Sequence, residues 1–272
     1  MDSTYAFIGG GNMGRALVGG LLAAGHDAAR IRVADASADA RSACASQFGV
    51  ATTDDNRTCA EGADVVVLAV KPQQLREVAR TLGAQACGNP LYLSIAAGIT
   101  VGHLEAWLGA GSAIVRAMPN TPALIGCGAA ALYANAAVDA AQRELAAGLL
   151  GAVGSAVWVE DEALMDAVTA LSGSGPAYVF LLIELMERAG IELGLPVALA
   201  RALALDTVHG AARLAHASGR SPAELRVQVT SPGGTTERAL ASFAAADLPA
   251  IVARALTAAR DRAIELAAGI ER

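Results

Sequence analysis

The feature that most constrains this chain is a glycine run placed directly after a short apolar segment. Tyr5-Ala6-Phe7-Ile8 leads into Gly9-Gly10-Gly11-Asn12-Met13-Gly14, a G-x-G-x-x-G spacing, and Asn12 to Ala24 then shows helical periodicity with Ala16, Leu17, Leu21 and Leu22 on one side. A strand, a glycine turn and a helix in that order predict a βα unit that binds a dinucleotide. Gly9 permits the tight turn, Gly11 lets the backbone approach a pyrophosphate, and Gly14 allows close helix–strand packing. The free N–H groups and the dipole at the helix start suit the anion. A ligand-free glycine turn is the alternative, but it leaves unexplained three residues that each cost folding entropy.

Asp35 lies about twenty residues past the turn, at the end of the next strand candidate, where an acidic side chain is expected to hold a ribose 2′-hydroxyl. That favours NADH. A cap for the helix from Ser37 to Phe48 is the other reading of Asp35. No arginine follows it directly, and Arg41 is the nearest downstream, so NADPH stays open.

The first half of the chain keeps this alternation. Ile31–Ala34, Val65–Val70, Leu91–Ala96 and Ala113–Met118 read as strands, and the continuous apolar run after Asp64 suits a strand buried on both faces. Strands alternating with helices predict a parallel, doubly wound sheet. Lys71 follows a buried strand at the carboxyl end, where open α/β sheets bind ligands. Near Glu160 the character changes. Helical patterns dominate to Arg272: one opens at Ser174-Gly175-Pro176, one at Pro196, one at the capping box Ser221-Pro222-Ala223-Glu224, and one after Asp247-Leu248-Pro249. Arg226–Val229 is the one strand candidate there. The expected domains are therefore 1–160, α/β, and 161–272, all-α.

Composition excludes several classes. The net charge of −6 lacks the basic excess of a nucleic-acid binder. The hydrophobic share of 54% against 17% charged residues is outside the disordered class. The longest uncharged stretch, Ala117 to Val138, is broken by Pro119, Pro122 and glycines, so no membrane span is expected. The first residues do not form a signal peptide. Cys44, Cys59, Cys87 and Cys127 show no metal-ligand spacing and read as reduced thiols of a cytoplasmic protein. The helices after Glu160 are too apolar to be covered by one chain, which predicts a homo-oligomer.

Six blocks carry a resemblance. They are Phe7–Gly14, Ala69-Val70-Lys71-Pro72, Ala96-Ala97-Gly98-Ile99, Met118-Pro119-Asn120-Thr121-Pro122, Leu171-Ser172-Gly173-Ser174-Gly175-Pro176-Ala177-Tyr178 and Ser231-Pro232-Gly233-Gly234-Thr235-Thr236. In that order they resemble pyrroline-5-carboxylate reductase, which closes proline biosynthesis. The resemblance implies an N-terminal Rossmann-type doubly wound sheet, an all-α C-terminal dimerisation domain, and interlocked dimers that sometimes build decamers. It implies NADPH or NADH as cofactor and pyrroline-5-carboxylate as substrate. The implied cofactor contacts are Gly9, Gly11, Asn12, Met13, Asn56, Ala69, Val70, Lys71, Ala97 and Gln228, with Asp35 added by the reading above. Family members carry asparagine or similar polar residues where Gln228 stands, and Ser-Asn-Arg-type residues where this chain has Asp35-Ala36-Ser37. The implied substrate contacts are Glu162, Ser231, Gly233, Gly234, Thr235 and Thr236, with Thr236 at the reacting nitrogen.

Two rivals remain at this stage. A β-hydroxyacid-type dehydrogenase shares the glycine turn but needs a lysine in its helical domain, and no lysine follows Lys71. A nucleotide-sensing scaffold has no use for the Ser231–Thr236 loop.

Overall fold

Alternate residues of a strand point to opposite faces, so an apolar strand with no polar alternation needs cover on both sides. The computed structural model describes residues 3–83 and 89–270 and meets that demand. Its strands are β1 (Tyr5–Ile8), β2 (Ile31–Ala34), β3 (Ala51–Thr53), β4 (Val65–Leu68), β5 (Leu91–Ser94), β6 (Ala113–Met118), β7 (Gly128–Ala134) and β8 (Gly154–Trp158). They form one sheet in the order β3-β2-β1-β4-β5-β6-β7-β8. Tyr5, Phe7, Val65, Val67, Leu91 and Leu93 pack on one face, and Ala6, Ile8, Val66, Leu68 and Tyr92 on the other.

Helices α1 (Asn12–Ala23), α2 (Ala38–Phe48) and α6 (Ala140–Gly151) cover the first face through Leu17, Leu21, Cys44 and Leu149. Helices α3 (Asn56–Ala60), α4 (Pro72–Gly83) and α5 (Val101–Leu108) cover the second through Cys59, Leu75, Leu104 and Trp107. Burying each large side chain of this kind stabilises the fold by roughly 1.5–3 kcal/mol. Burial also pushes the Cys59 thiol up to about 12. Cys44 and Cys59 are buried free thiols and Cys127 is an exposed one, while Cys87 lies outside the described residues.

The sheet differs from a purely parallel one. β1 to β6 run parallel, but β7 is antiparallel to β6, with Met118 opposite Ala131, and β8 is parallel to β7. Sequence reasoning passes over β3, β7 and β8. β7 is Gly-Ala-Ala-Ala-Leu-Tyr-Ala, which carries no β-branched residue and is extended by its pairing with β6.

From Leu164 on, every regular element among the described residues is a helix. Helix α7 (Leu164–Val168) passes into a π turn, Thr169–Gly173, in which the Ser174 N–H donates to the Thr169 carbonyl at 2.8 Å. Helices α8 (Gly175–Glu192), α9 (Val197–Ser218), α10 (Pro222–Gln228), α11 (Thr235–Ala245) and α12 (Leu248–Ala268) follow. The strand candidate Arg226–Val229 is corrected: the Ser221–Glu224 capping box starts α10, which runs to Gln228.

Two compact units result. The first extends to Ser174 and takes back the chain from Ala258 on; the second is Gly175–Thr257. The division therefore falls later than 160/161, because α7 and the π turn pack with the sheet. In the second unit Gly190 brings α8 close to Ala200 of α9, and Ala200 and Ala204 are buried. Phe180, Leu182, Leu199, Leu205 and Leu214 are exposed on these helices, and Leu193 is 86% exposed. Apolar exposure on this scale is what a second subunit covers. We expect sedimentation at micromolar concentration to find the active protein as a multiple of the 27.3 kDa chain. A fully active 27 kDa species would contradict this.

Candidate active site

The order β3-β2-β1-β4 means that the chain runs outward from β1 and then returns to β1's other side. The crevice at the carboxyl ends of β1 and β4 is thus the topological switch point, where such sheets bind ligands. Gly9 leaves β1 there with φ +113°, and its N–H donates to the Ala34 carbonyl at 2.8 Å. A Cβ on Gly9 would lie 2.6 Å from the Ala69 carbonyl oxygen, and one on Gly14 would strike the Gly9 carbonyl. Gly11 is different. It is the N-cap of α1, and a Cβ there would meet nothing within 4 Å. The turn thus has backbone packed hard behind it and open space in front, at a helix start with no side-chain cap. That is the shape a pyrophosphate needs.

The other cofactor candidates of this unit line up along the same sheet end. Asn56 opens α3 after β3. Ala69, Val70 and Lys71 follow β4, with the Ala69 N–H on the Ile8 carbonyl at 2.8 Å and Lys71 exposed. Ala97 follows β5 and is exposed. Asp35 ends β2, where its Oδ2 accepts from the Gly10 N–H at 2.7 Å and its Oδ1 from the Ser37 N–H at 2.9 Å. It therefore braces the glycine turn and the start of α2, and each oxygen keeps lone-pair capacity for a ribose.

Glu162 belongs to the first unit, and its Oε1 accepts from the Val101 N–H at 2.8 Å and from Arg116 Nη1 at 3.0 Å. Arg116, on β6, is 4% exposed and also lies 3.6 Å from Asp166 Oδ1. A buried guanidinium needs such partners. Glu162 thus anchors the entry to α7, and its Oε2 is left for other duty. Sequence reasoning missed Arg116; a lone charge inside the apolar run Ala113–Met118 was its signal.

Asn120, in the Met118–Pro122 block, joins three elements. Its Nδ2 donates to the Ser172 carbonyl at 3.0 Å and its Oδ1 accepts from the Ala129 N–H at 2.9 Å. It ties the end of β6 to β7 and to the π turn. Gly173 faces Met118 there, where a Cβ would collide with the methionine side chain. This close fit explains two of the motif blocks together.

In the second unit the loop Ser231–Gly234 opens α11. Gly233 has φ +72°, Gly234 is the N-cap, and the Gly234 N–H donates to the Ser231 carbonyl at 3.0 Å. Thr235 and Thr236 form the first turn, whose N–H groups have no side-chain cap. Glu237, which the sequence reading left out, accepts from the Gly233 N–H at 2.7 Å and closes the loop. Its place at the third helical position is a recognisable capping signal. Gln228 is the exposed last residue of α10. The cofactor candidates thus lie in the first unit except Gln228, and the substrate candidates in the second except Glu162. Among the described residues no cluster of His, Cys, Asp and Glu is suited to a metal ion.

Comparison with known proteins fits this geometry. A family model described as pyrroline-5-carboxylate reductase dimerisation matches residues 162–266. A second, described as NADP oxidoreductase coenzyme F420-dependent, matches 4–98. A pyrroline-5-carboxylate reductase of Pseudomonas aeruginosa is 52% identical over 262 residues, 96% of each chain. The chain belongs to the pyrroline-5-carboxylate reductase family.

A solved family structure from Coxiella burnetii superposes with a TM-score of 0.94 at 46% identity and covers 98% of this chain and 99% of that one. The Plasmodium falciparum enzyme, solved with NADP bound, gives 0.85 at 29% identity and 98% of both chains. The dimerisation match carries homo-oligomerisation with it. One helical stretch, Leu164–Glu192, is long and apolar enough to cross a bilayer by length and composition. It falls within the dimerisation match, which accounts for its apolar surface.

The two glycines of the turn separate folding from binding. Gly9→Ala forces a side chain into a positive φ, at a cost on the order of 1–3 kcal/mol, and into the Ala69 carbonyl, so the melting temperature should fall by several degrees. Gly11→Ala should melt as wild type and bind reduced dinucleotide at least about tenfold more weakly, because its methyl group fills the pyrophosphate space. Thermal unfolding and a fluorescence titration check both; equal behaviour of the two variants would contradict the assignment.

Proposed function

We propose that this chain reduces L-1-pyrroline-5-carboxylate to L-proline at the expense of NADPH or NADH, the last step of proline biosynthesis. The observation that carries the reading is the retention of both halves of the family's machinery in one chain. These are the open Gly11 cradle at the switch point and the uncapped Ser231–Thr236 loop at the start of α11.

When bound, the reduced nicotinamide supplies the hydride from its C4, which the imine carbon of the substrate receives. The protein's own groups bind and orient. Gly9, Gly11, Asn12 and Met13 hold the pyrophosphate, and Asn56, Ala69, Val70, Lys71 and Ala97 line the rest of the groove, with Asp35 at the ribose; Gln228 is the one cofactor contact assigned to the second unit. The uncapped N–H groups of Thr235 and Thr236, at the positive end of the α11 dipole, receive the substrate carboxylate, and Ser231, Gly233 and Gly234 shape the turn before them. The Thr236 hydroxyl faces the ring nitrogen. An imine that binds already protonated becomes a neutral secondary amine when it takes the hydride, so no strong general acid is required. Thr236 then needs only to accept the N–H and fix the ring. Glu162, through its Oε2, is the substrate contact assigned to the first unit.

The minimal assembly in this reading is a homodimer whose helical units complete the active sites, with a decamer as the higher form. The exposed apolar side chains of α8 and α9 support it. The cytoplasm supplies the reduced nucleotide and suits the free thiols.

Oxidation of NADPH or NADH followed at 340 nm with pyrroline-5-carboxylate tests the reaction. Thr236→Ala should lower kcat about ten- to a hundredfold, the equivalent of about 1.5–3 kcal/mol for one charge-assisted hydrogen bond, while dinucleotide binding is unchanged. Wild-type kinetics in this variant would remove Thr236 from the reaction.

A further inference from the structure

The carboxyl end of β2 carries two opposite charges with unequal commitments. Asp35 is held by the Gly10 and Ser37 N–H groups, so its carboxylate cannot swing away from an incoming ribose. Arg41, one turn into α2, folds back over the same corner, and its Nη1 donates to the Asp35 carbonyl at 2.8 Å and to the Ala36 carbonyl at 3.0 Å. Both Nη1 hydrogens are thereby used. The Nη2 pair and Nε–H remain, and among the described residues no carboxylate pairs with this guanidinium. Its position is fixed by two backbone carbonyls, and its charge is unneutralised.

The adenosine ribose of a dinucleotide on this turn sits at the carboxyl end of β2. A 2′-hydroxyl there meets Asp35. A 2′-phosphate meets the repulsion of Asp35 and also the free edge of Arg41, a fork suited to two phosphate oxygens. Asp39, Asp54 and Asp55 are exposed on the neighbouring segments, with Arg57 as the further cation, so the surrounding field does not itself favour an anion.

We propose that Arg41 is the specificity-determining residue that admits NADPH beside Asp35, so that this chain uses both cofactors. NADH is read by the carboxylate and NADPH by the guanidinium. The departure from Ser-Asn-Arg-type residues after β2 is then compensated from one helical turn further on. This rests on the dinucleotide site assigned above but not on turnover.

The test is equilibrium binding of NADPH and of NADH, without substrate, by fluorescence titration of wild type, Arg41→Gln and Arg41→Lys. For Arg41→Gln we expect the NADPH Kd to rise at least about tenfold and the NADH Kd to change less than about twofold. Arg41→Lys should restore part of the NADPH affinity, because it returns the charge without the fork. NADPH binding by wild type should also weaken with added salt more steeply than NADH binding. An equal loss for both cofactors would mean that Arg41 only props the β2–α2 turn, and no change for either would remove it from the site; both overturn the proposal. Absence of pyrroline-5-carboxylate reduction in the separate 340 nm assay would count against the proposed reaction and leave this contrast standing.

Discussion

The nucleotide end of this protein depends on one place where backbone meets backbone. Gly9 approaches the Ala69 carbonyl so closely that no side chain fits between, and Gly14 sits as tightly on Gly9 itself. That contact lets α1 start immediately behind β1 and β4 and aims its first N–H groups out of the sheet. Asp35 secures the same turn from the side of β2 through the Gly10 N–H. If this packing loosens, the open space before Gly11 loses its floor, and the residues after β4 and β5 no longer share an edge with it.

How much of this was legible in the sequence follows from what kind of force fixes each part. β1, β2, β4, β5 and β6 are written as apolar runs because both of their faces are buried, and burial is a property of the residues themselves. β3 has three residues, β7 is alanine-rich, and no residue of β8 is fully buried, so none is an apolar run; they form through pairing with neighbours, and single-residue patterns do not record a partner. Arg226–Val229 went the other way: its β-branched valines suggested a strand, and a capping box five residues upstream prevailed. In the site, the glycine turn and the Ser231–Thr236 loop were legible because special backbone conformations demand special residues. Arg116 and Asn120 were not, because their roles lie in bonds to carbonyls, an N–H and carboxylates that only the fold brings near; Arg41 was visible as the nearest arginine past Asp35, but not the carbonyls that hold it.

The second unit shows the complementary situation. Its helices have the length and periodicity of a core, yet Ala200 and Ala204 are among the few side chains buried there, while leucines and Phe180 face outward. A chain of this composition gains its hydrophobic stabilisation in two stages, within the first unit on folding and within the second on association. The family match over 162–266 and the exposed surface thus describe one fact from two directions.

The last helix carries a further consequence. α12 begins in the second unit, but from Ala258 on it belongs to the first, where Leu266 lies against Gly98 and Ile270 packs on the core beneath β4 and β5. The helical unit is therefore an insertion in the nucleotide-binding one, tethered at both ends. During synthesis the first domain to begin is the last to be completed, since its final packing surface leaves the ribosome only after the whole helical segment. Removing the stretch from Leu266 to Ile270 would accordingly disturb the nucleotide-binding unit, although it lies more than 250 residues in sequence from the glycine turn.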